Sequence, residues 1–214
     1  MSITSEIDIP EPDSCMEKCL MKTLSVISYM STMRDPYTAH HQKRVAMLSF
    51  AIAKKLKLGK QLSTGIYLGA LIHDIGKIKV PAEILSFPDK LSLEQYNLIK
   101  KHPSDGEKII HDIEFPWPIR DIVLSHHEHI NGTGYPNGLK GNEISLAVRI
   151  VTVADVVEAM SSHRPYRPAK SIDDAIYHIE EHADSFYDAK VVEACINIFK
   201  DDNFNYVFKD GDTI

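Results

Sequence analysis

Between residues 15 and 200 the apolar residues return three and four positions apart, segment after segment, and no stretch alternates long enough to read as a strand. That period puts them on one stripe of a helix, which must be buried against another element. Ser14-x-x-Glu17 is a capping box, and Met16, Cys19, Leu20, Leu24 and Ile27 follow it, so a helix is expected over about 15–33. Val45, Leu48, Ala51, Ile52 and Leu56 predict a second over 38–58. Ile66, Leu68, Leu71 and Ile72 predict a third over about 61–74, with Gly76 ending or loosening it. Ser92-x-x-Gln95 caps a short helix, Pro103 suits the first turn of the next, and Pro118 opens one reaching about His127. Further helices are expected at about 146–162, 171–184 and 188–200. The fold class read from this pattern is all-α.

The interruptions are as informative as the helices. Four of the ten glycines, at 132, 134, 138 and 141, cluster with Pro136 and Asn137 in a loop composition. Residues 1–13 hold two prolines and four acids without periodicity and read as a leader or linker. One domain over 14–200 and a weakly structured tail at 201–214 complete the expected organisation, and a 43% hydrophobic content is ample for a single core.

Several function classes drop out on charge and hydropathy. A net charge of −6, from 24 basic and 30 acidic residues, offers no electrostatic footprint for duplex nucleic acid, although a small anion could still meet basic side chains gathered in a pocket. Apolar runs such as VVEACINIF fall well short of the roughly 20 residues that span a bilayer. The acidic N-terminus lacks the basic start and apolar run of a signal peptide, so a cytoplasmic protein without membrane contact is expected. Cys15, Cys19 and Cys195 are too scattered for a disulfide framework and are expected to be free thiols in the core.

Eleven histidines are many for a chain of this length. His41, His73, Asp74, His102, His126, His127 and Asp155 each fall within or at the end of an expected helix. The pair His73-Asp74 suits a two-metal centre, because a carboxylate can bridge two cations while its neighbouring imidazole binds one. His126 and His127 point about 100° apart on an ideal helix, so either the helix ends there or the two serve different metals. No cysteine accompanies these residues, and a shell of imidazole and carboxylate favours iron, manganese, nickel or zinc. His40, His111, His163, His178 and His182 read as ordinary surface or core histidines.

The strings YTAHHQKRVA, LGALIHDIGKIKVPAEIL, KKHP, VLSHHEHINGTGYPNGLKG and RIVTVADVVEAMSSHRPYR occur in that order over about residues 35–168. Together they resemble the HD-GYP family, a subset of the HD-domain phosphohydrolases known for degrading cyclic di-GMP. The resemblance implies an HD-domain helical bundle with additional C-terminal helices. It also implies His41, His73, Asp74, His102, His126, His127 and Asp155 as metal ligands, with Asp74 as the bridge. Two divalent ions are expected, iron or manganese ahead of nickel or zinc. Family members with a third metal carry a glutamate four residues before the first histidine, and Tyr37 stands there in this chain, so two metals are expected rather than three. Lys77 is expected to neutralise a phosphate oxygen beside Asp74. Tyr135, Glu158, Arg164 and Arg167 are expected at the substrate, the arginines because a guanidinium fork suits phosphate or a guanine edge.

Three residues depart from the family pattern: His129 for arginine, Asn131 for aspartate and Glu158 for aspartate. Asn131 keeps a short side chain that can bond its own backbone, so its turn is expected to survive. The expected activity is hydrolysis of cyclic di-GMP to pGpG and onward to GMP. The competing expectations are a cyclic-dinucleotide receptor or GGDEF-interacting module with little turnover, and a hydrolase of a related substrate such as cyclic GMP-AMP. A homodimer is a further expectation, from the helix placed ahead of the core.

Overall fold

The computed structural model describes residues 10–32, 38–87, 89–163 and 168–200. Helices account for nearly all its regular structure, and among the described residues β-pairing is limited to two isolated bridges, Asn131 with Lys140 and Ala183 with Tyr187. The ten α-helices among the described residues are α1 (Cys15–Thr32), α2 (Thr38–Lys55), α3 (Lys60–Ile72), α4 (Ala82–Leu85), α5 (Leu93–Ile99), α6 (His102–Ile110), α7 (Ile119–Ser125), α8 (Leu146–Ser161), α9 (Ile172–Glu181) and α10 (Ala189–Lys200). Short 3-10 turns at Ile75–Lys79 and Gly141–Glu143 fall between them.

The local signals lie where the sequence puts them. Ser14 Oγ accepts the Glu17 N–H at 3.1 Å at the head of α1. Ser92 and Gln95 form a full capping box on α5, and Pro103 occupies the first turn of α6. Ser171 and Asp174 make a further capping box at the start of α9.

The core lies where α2, α3, α7 and α8 meet. Leu48, Ile52, Ile66, Leu68, Ile72, Ile119, Ile122 and Ile150 are fully buried there, each contributing about 1.5–3 kcal/mol relative to exposure. α9 and α10 close the far side of α8 with Ala175, Ile179, Val191, Val192 and Cys195. Cys195 is a buried free thiol as expected, whereas Cys15 and Cys19 are exposed. The correction has a simple cause: α1 covers the core with one stripe only, through Leu20, Leu24 and Ile27, and the cysteines sit on the face turned away.

Two features carry the core toward the site. α3 stops at Ile72, and His73 caps it before the chain tightens into the 3-10 turn. Gly76 in that turn lies so close to α6 that a Cβ there would stand 1.9 Å from the His102 carbonyl oxygen. Only glycine permits that approach, and the approach brings His73, Asp74 and His102 to one place.

Among the described residues no helix is long and apolar enough to cross a membrane. Residues 1–9 and 201–214, most of the expected leader and all of the expected tail, lie outside the described residues.

Candidate metal centre

Seven side chains from five places in the chain converge. His41 comes from α2, His73 and Asp74 from the end of α3, His102 from the start of α6, His126 and His127 from the end of α7, and Asp155 from α8. They form two groups, Asp74 with His102, His126 and His127, and His41 with His73 and Asp155. Within each group the potential ligand atoms lie within 4.8 Å of one another.

Asp74 faces both groups at once. Its Oδ1 lies 3.1 Å from His102 Nε2 and 3.8 Å from His126 Nε2. Its Oδ2 lies 3.4 Å from His73 Nε2 and 3.8 Å from His41 Nε2. Asp155 spans in a similar way, with Oδ1 3.2 Å from His41 Nε2 and Oδ2 3.9 Å from His127 Nδ1.

The hydrogen bonds behind the rings decide which nitrogens are bare. His73 Nδ1 donates to the Ala70 carbonyl at 2.7 Å, His102 Nδ1 to Ile99 at 2.8 Å, and His126 Nδ1 to Ile122 and Val123 at 3.1 Å. A carbonyl only accepts, so each Nδ1 carries a proton, and in its neutral form each ring then presents Nε2 as a lone pair. The bare Nε2 atoms of His102 and His126 then face one another at 3.2 Å. Two lone pairs at that distance repel unless a positive charge joins them. His73 Nε2 and Asp74 Oδ1 are buried without a hydrogen bond of acceptable geometry, a costly state for polar atoms. The donor set and the orphaned atoms both fit divalent cations held by imidazole and carboxylate.

Electrostatics follow the same division. Burial alone would raise the Asp74 and Asp155 carboxyls, but Lys77 and His73 hold Asp74, and His41 holds Asp155, well below the usual carboxylate range. Burial and the neighbouring imidazoles push His126 well below the histidine range, and burial with His102 pulls His127 down to about 3. His41 moves the other way, raised to about 9 because Glu158 and Asp155 outweigh its burial.

α7 ends at Ser125 with His126 as its C-cap, so the helix does end at the histidine pair. The His126 carbonyl accepts from Thr152 Oγ1 on α8 at 2.8 Å, which pins the turn. Lys77 reaches the site through a 3-10 turn rather than the α-helical turn assumed from its distance to His73, and its Nζ lies 2.6 Å from Asp74 Oδ2.

Tyr135 lies over the open side. Its ring meets His127 at 4.7 Å and 30°, and Lys100 Nζ stands 4.7 Å from its centroid. His127, with a quarter of its side chain exposed, and the partly exposed Lys77 mark the accessible edge.

Glu128, which sequence reasoning passed over, holds this loop. It is buried, and its carboxylate accepts the N–H groups of Asn137 at 2.6 Å, Gly138 at 3.1 Å and Leu139 at 3.0 Å. A charged residue next to a histidine pair and ahead of a glycine-rich loop was the available signal. Gly134 packs directly on that strip, where a Cβ would come within 2.4 Å of Glu128 Cα and 2.5 Å of the His127 carbonyl oxygen.

The three departures are each accounted for. His129 stacks on Phe186 at 4.9 Å, fastening the loop to the segment between α9 and α10. Asn131 Oδ1 accepts the Thr133 N–H at 3.0 Å, the expected side-chain turn. Glu158, expected at the substrate, is instead fully buried: one oxygen meets His41 Nδ1, and the other accepts from Arg44 Nε and Ser162 Oγ, each at 2.6 Å. Its carboxylate has no free edge for a substrate because α8 carries it behind the histidine–aspartate cluster, one helical turn past Asp155. Tyr37, Arg164 and Arg167 lie outside the described residues.

Comparison with known proteins agrees with this architecture. The chain is 37% identical over 187 residues to a cyclic di-GMP phosphodiesterase of Thermotoga maritima, covering 86% of this chain and 51% of that protein. It is 39% identical over 148 residues to a cyclic di-GMP phosphodiesterase of Pseudomonas aeruginosa, covering 69% and 36% respectively. A 3'3'-cGAMP-specific phosphodiesterase of Vibrio cholerae matches at 33% over 201 residues, covering 92% and 43%. The chain thus spans about half the length of these relatives, or less. Among solved structures, an HDG"Y"P protein from Bdellovibrio bacteriovorus shares the fold with a TM-score of 0.65 at 22% identity, over 86% of this chain and 63% of that one. A model of the HD-domain family matches residues 25–191. With the histidines and aspartates of its motifs drawn into one buried cluster, the chain belongs to the HD-domain family.

Proposed function

We propose that this chain is a metal-dependent phosphodiesterase that opens cyclic di-GMP to linear pGpG, and onward to GMP, at a binuclear centre. The observation that carries the proposal is Asp74, whose two oxygens face two separate groups of bare imidazole nitrogens and carboxylate. Two cations, iron or manganese ahead of nickel or zinc, would be held by His41, His73 and Asp155 and by His102, His126 and His127, with Asp74 shared. When bound, such a pair supplies Lewis-acid activation of water and offsets charge on a phosphodiester.

The protein's own groups do the rest. Lys77 places an ammonium beside Asp74 at the accessible edge, where a phosphate oxygen can meet it. The Tyr135 ring and Lys100 form the lip on which a base or phosphate can rest. Glu128 and Gly134 hold that lip against the His126–His127 turn. Arg164 and Arg167 are proposed for the second phosphate or its guanine. No side-chain nucleophile is needed.

Cyclic di-GMP is placed ahead of cyclic GMP-AMP because two relatives named for it reach 37% and 39% identity, whereas those named for 3'3'-cGAMP stand at 32–33%. The receptor reading rested on the three departures, and it weakens once His129 and Asn131 shape the loop and Glu158 supports His41. A GGDEF-domain partner would meet the same loop surface over residues 131–141. A homodimer is supported by α1, whose exposed Met16, Cys19, Val26 and Met30 follow a heptad-like 3, 7, 4 spacing. A cytoplasmic setting belongs to the same proposal.

The test is a time course with cyclic di-GMP and, separately, 3'3'-cGAMP, on protein reconstituted with iron, manganese, nickel or zinc. Faster turnover of cyclic di-GMP supports the assignment. Preference for 3'3'-cGAMP moves the substrate, and tight binding without turnover in every metal replaces the enzyme with a receptor.

A further inference from the structure

Of the four ligand histidines whose rear nitrogen meets a hydrogen-bonding partner, three lean on backbone carbonyls and one leans on a charge. His73, His102 and His126 each donate Nδ1–H to a carbonyl of the preceding turn. His41 Nδ1 meets the Glu158 carboxylate, which arrives from α8, 117 positions away in sequence.

The carboxylate is built in rather than incidental. Glu158 is fully buried, and Arg44 and Ser162 saturate its second oxygen. Arg44 also donates to Ser162 Oγ at 3.0 Å, closing a small ring of bonds. Arg44 sits one turn after His41 on α2, and Glu158 one turn after Asp155 on α8, so the two helices present two matched rungs. On the upper rung His41 Nε2 faces Asp155 Oδ1 at 3.2 Å. On the lower rung the Arg44 guanidinium neutralises Glu158, which lets a carboxylate remain ionised in a dry place. An aspartate at 158, one methylene shorter, could not span both His41 and the Arg44–Ser162 pair from the same backbone.

We propose that Glu158 is a positioning residue of the metal centre: it fixes the tautomer and tilt of His41 so that Nε2 faces the cation, and so strengthens the His41–His73–Asp155 group specifically. A carboxylate behind a ligand imidazole orients the ring and makes it a stronger donor, and loss of such a partner costs about 10- to 100-fold in metal affinity. The other group, in which carbonyls back His102 and His126, should not respond. This inference rests on the metal-centre reading above.

The experiment is a manganese(II) titration of metal-free protein, followed by loss of the free-ion electron paramagnetic resonance signal, on the wild type, Glu158→Gln and Glu158→Asp. Glutamine keeps the shape and an acceptor oxygen, so the fold should survive, which circular dichroism checks; aspartate keeps the charge. The expected result is two binding events in the wild type, of which one weakens about 10- to 100-fold in Glu158→Gln while the other holds, with part of the loss recovered in Glu158→Asp. Two unchanged events, or both weakened equally, would overturn the positioning role while leaving the metal centre standing. No manganese binding by the wild type would overturn both.

Discussion

His41, buried, and His127, with a quarter of its side chain exposed, stand beside the same pair of aspartates, yet their proton affinities move in opposite directions. His41 is raised to about 9 and His127 is lowered to about 3. The difference lies in what stands behind and beside each ring. His41 is bracketed by two carboxylates, Asp155 at one nitrogen and Glu158 at the other. His127 is packed against other imidazoles and the Tyr135 ring, with Asp155 no closer than 3.9 Å. Burial penalises the charged form in both, and only a carboxylate in direct contact reverses it. The cluster is therefore asymmetric: one half is rich in negative charge, the other rich in neutral donors, and Asp74 joins them.

The largest effect is expected where the halves meet. Asp74→Ala should strip both groups together, with cyclic di-GMP turnover falling at least about 10³-fold and metal per chain falling toward zero by elemental analysis. A metal-loaded, active variant would remove Asp74 as the shared ligand. Next in size, His41→Ala and His126→Ala should each lose one metal and retain the other. If either variant lost both metals, the halves would be a single cooperative unit and the comparison would fail.

A smaller effect sharpens the contrast from the loop side. Gly134→Ala forces a methyl against Glu128 and the His127 carbonyl. The loop should shift, raising KM roughly tenfold with both metals kept. A parallel loss of metal would mean that the loop builds the His127 side rather than covering it.

The smallest effect concerns pH. The His41 contribution to metal-free stability is present below its ordinary value of 6.5 and is lost as pH rises through about 9. Glu158 is held down to about 2 from its ordinary 4.5, since His41, Arg44 and Ser162 outweigh its burial, so its contribution is present above 4.5 and lost as pH falls through about 2. The pair thus contributes fully between about pH 4.5 and 6.5. Glu158→Gln should lower the metal-free Tm by a few degrees in that window, with the gap closing toward pH 9. A constant gap across the range would separate His41 from Glu158.

What could be read in advance tracks how local each cause is. Helix positions, the capping box at Ser92 and the ending of α7 at His126 depend on neighbours within a few residues, and they stand where periodicity and composition put them. The convergence of the seven histidines and aspartates from five places was not legible from spacing; it came from the resemblance. Glu158 was assigned to the wrong side of the site because its partner His41 is 117 positions away and one methylene decides what it reaches. Glu128 escaped notice because its partners are backbone amides, which carry no residue signature. The burial of the α1 cysteines failed for a related reason: 3–4 spacing marks a helix, and only tertiary packing says which stripe of it is covered.

The proposed function requires this asymmetric cluster to hydrolyse a cyclic dinucleotide with metal bound. The most direct measurement follows products from cyclic di-GMP by chromatography, comparing chelator-stripped protein with the same protein reconstituted with manganese or iron. No turnover is expected without metal, and pGpG should accumulate once metal is restored. Binding of cyclic di-GMP with no product under any reconstitution would contradict the proposed function.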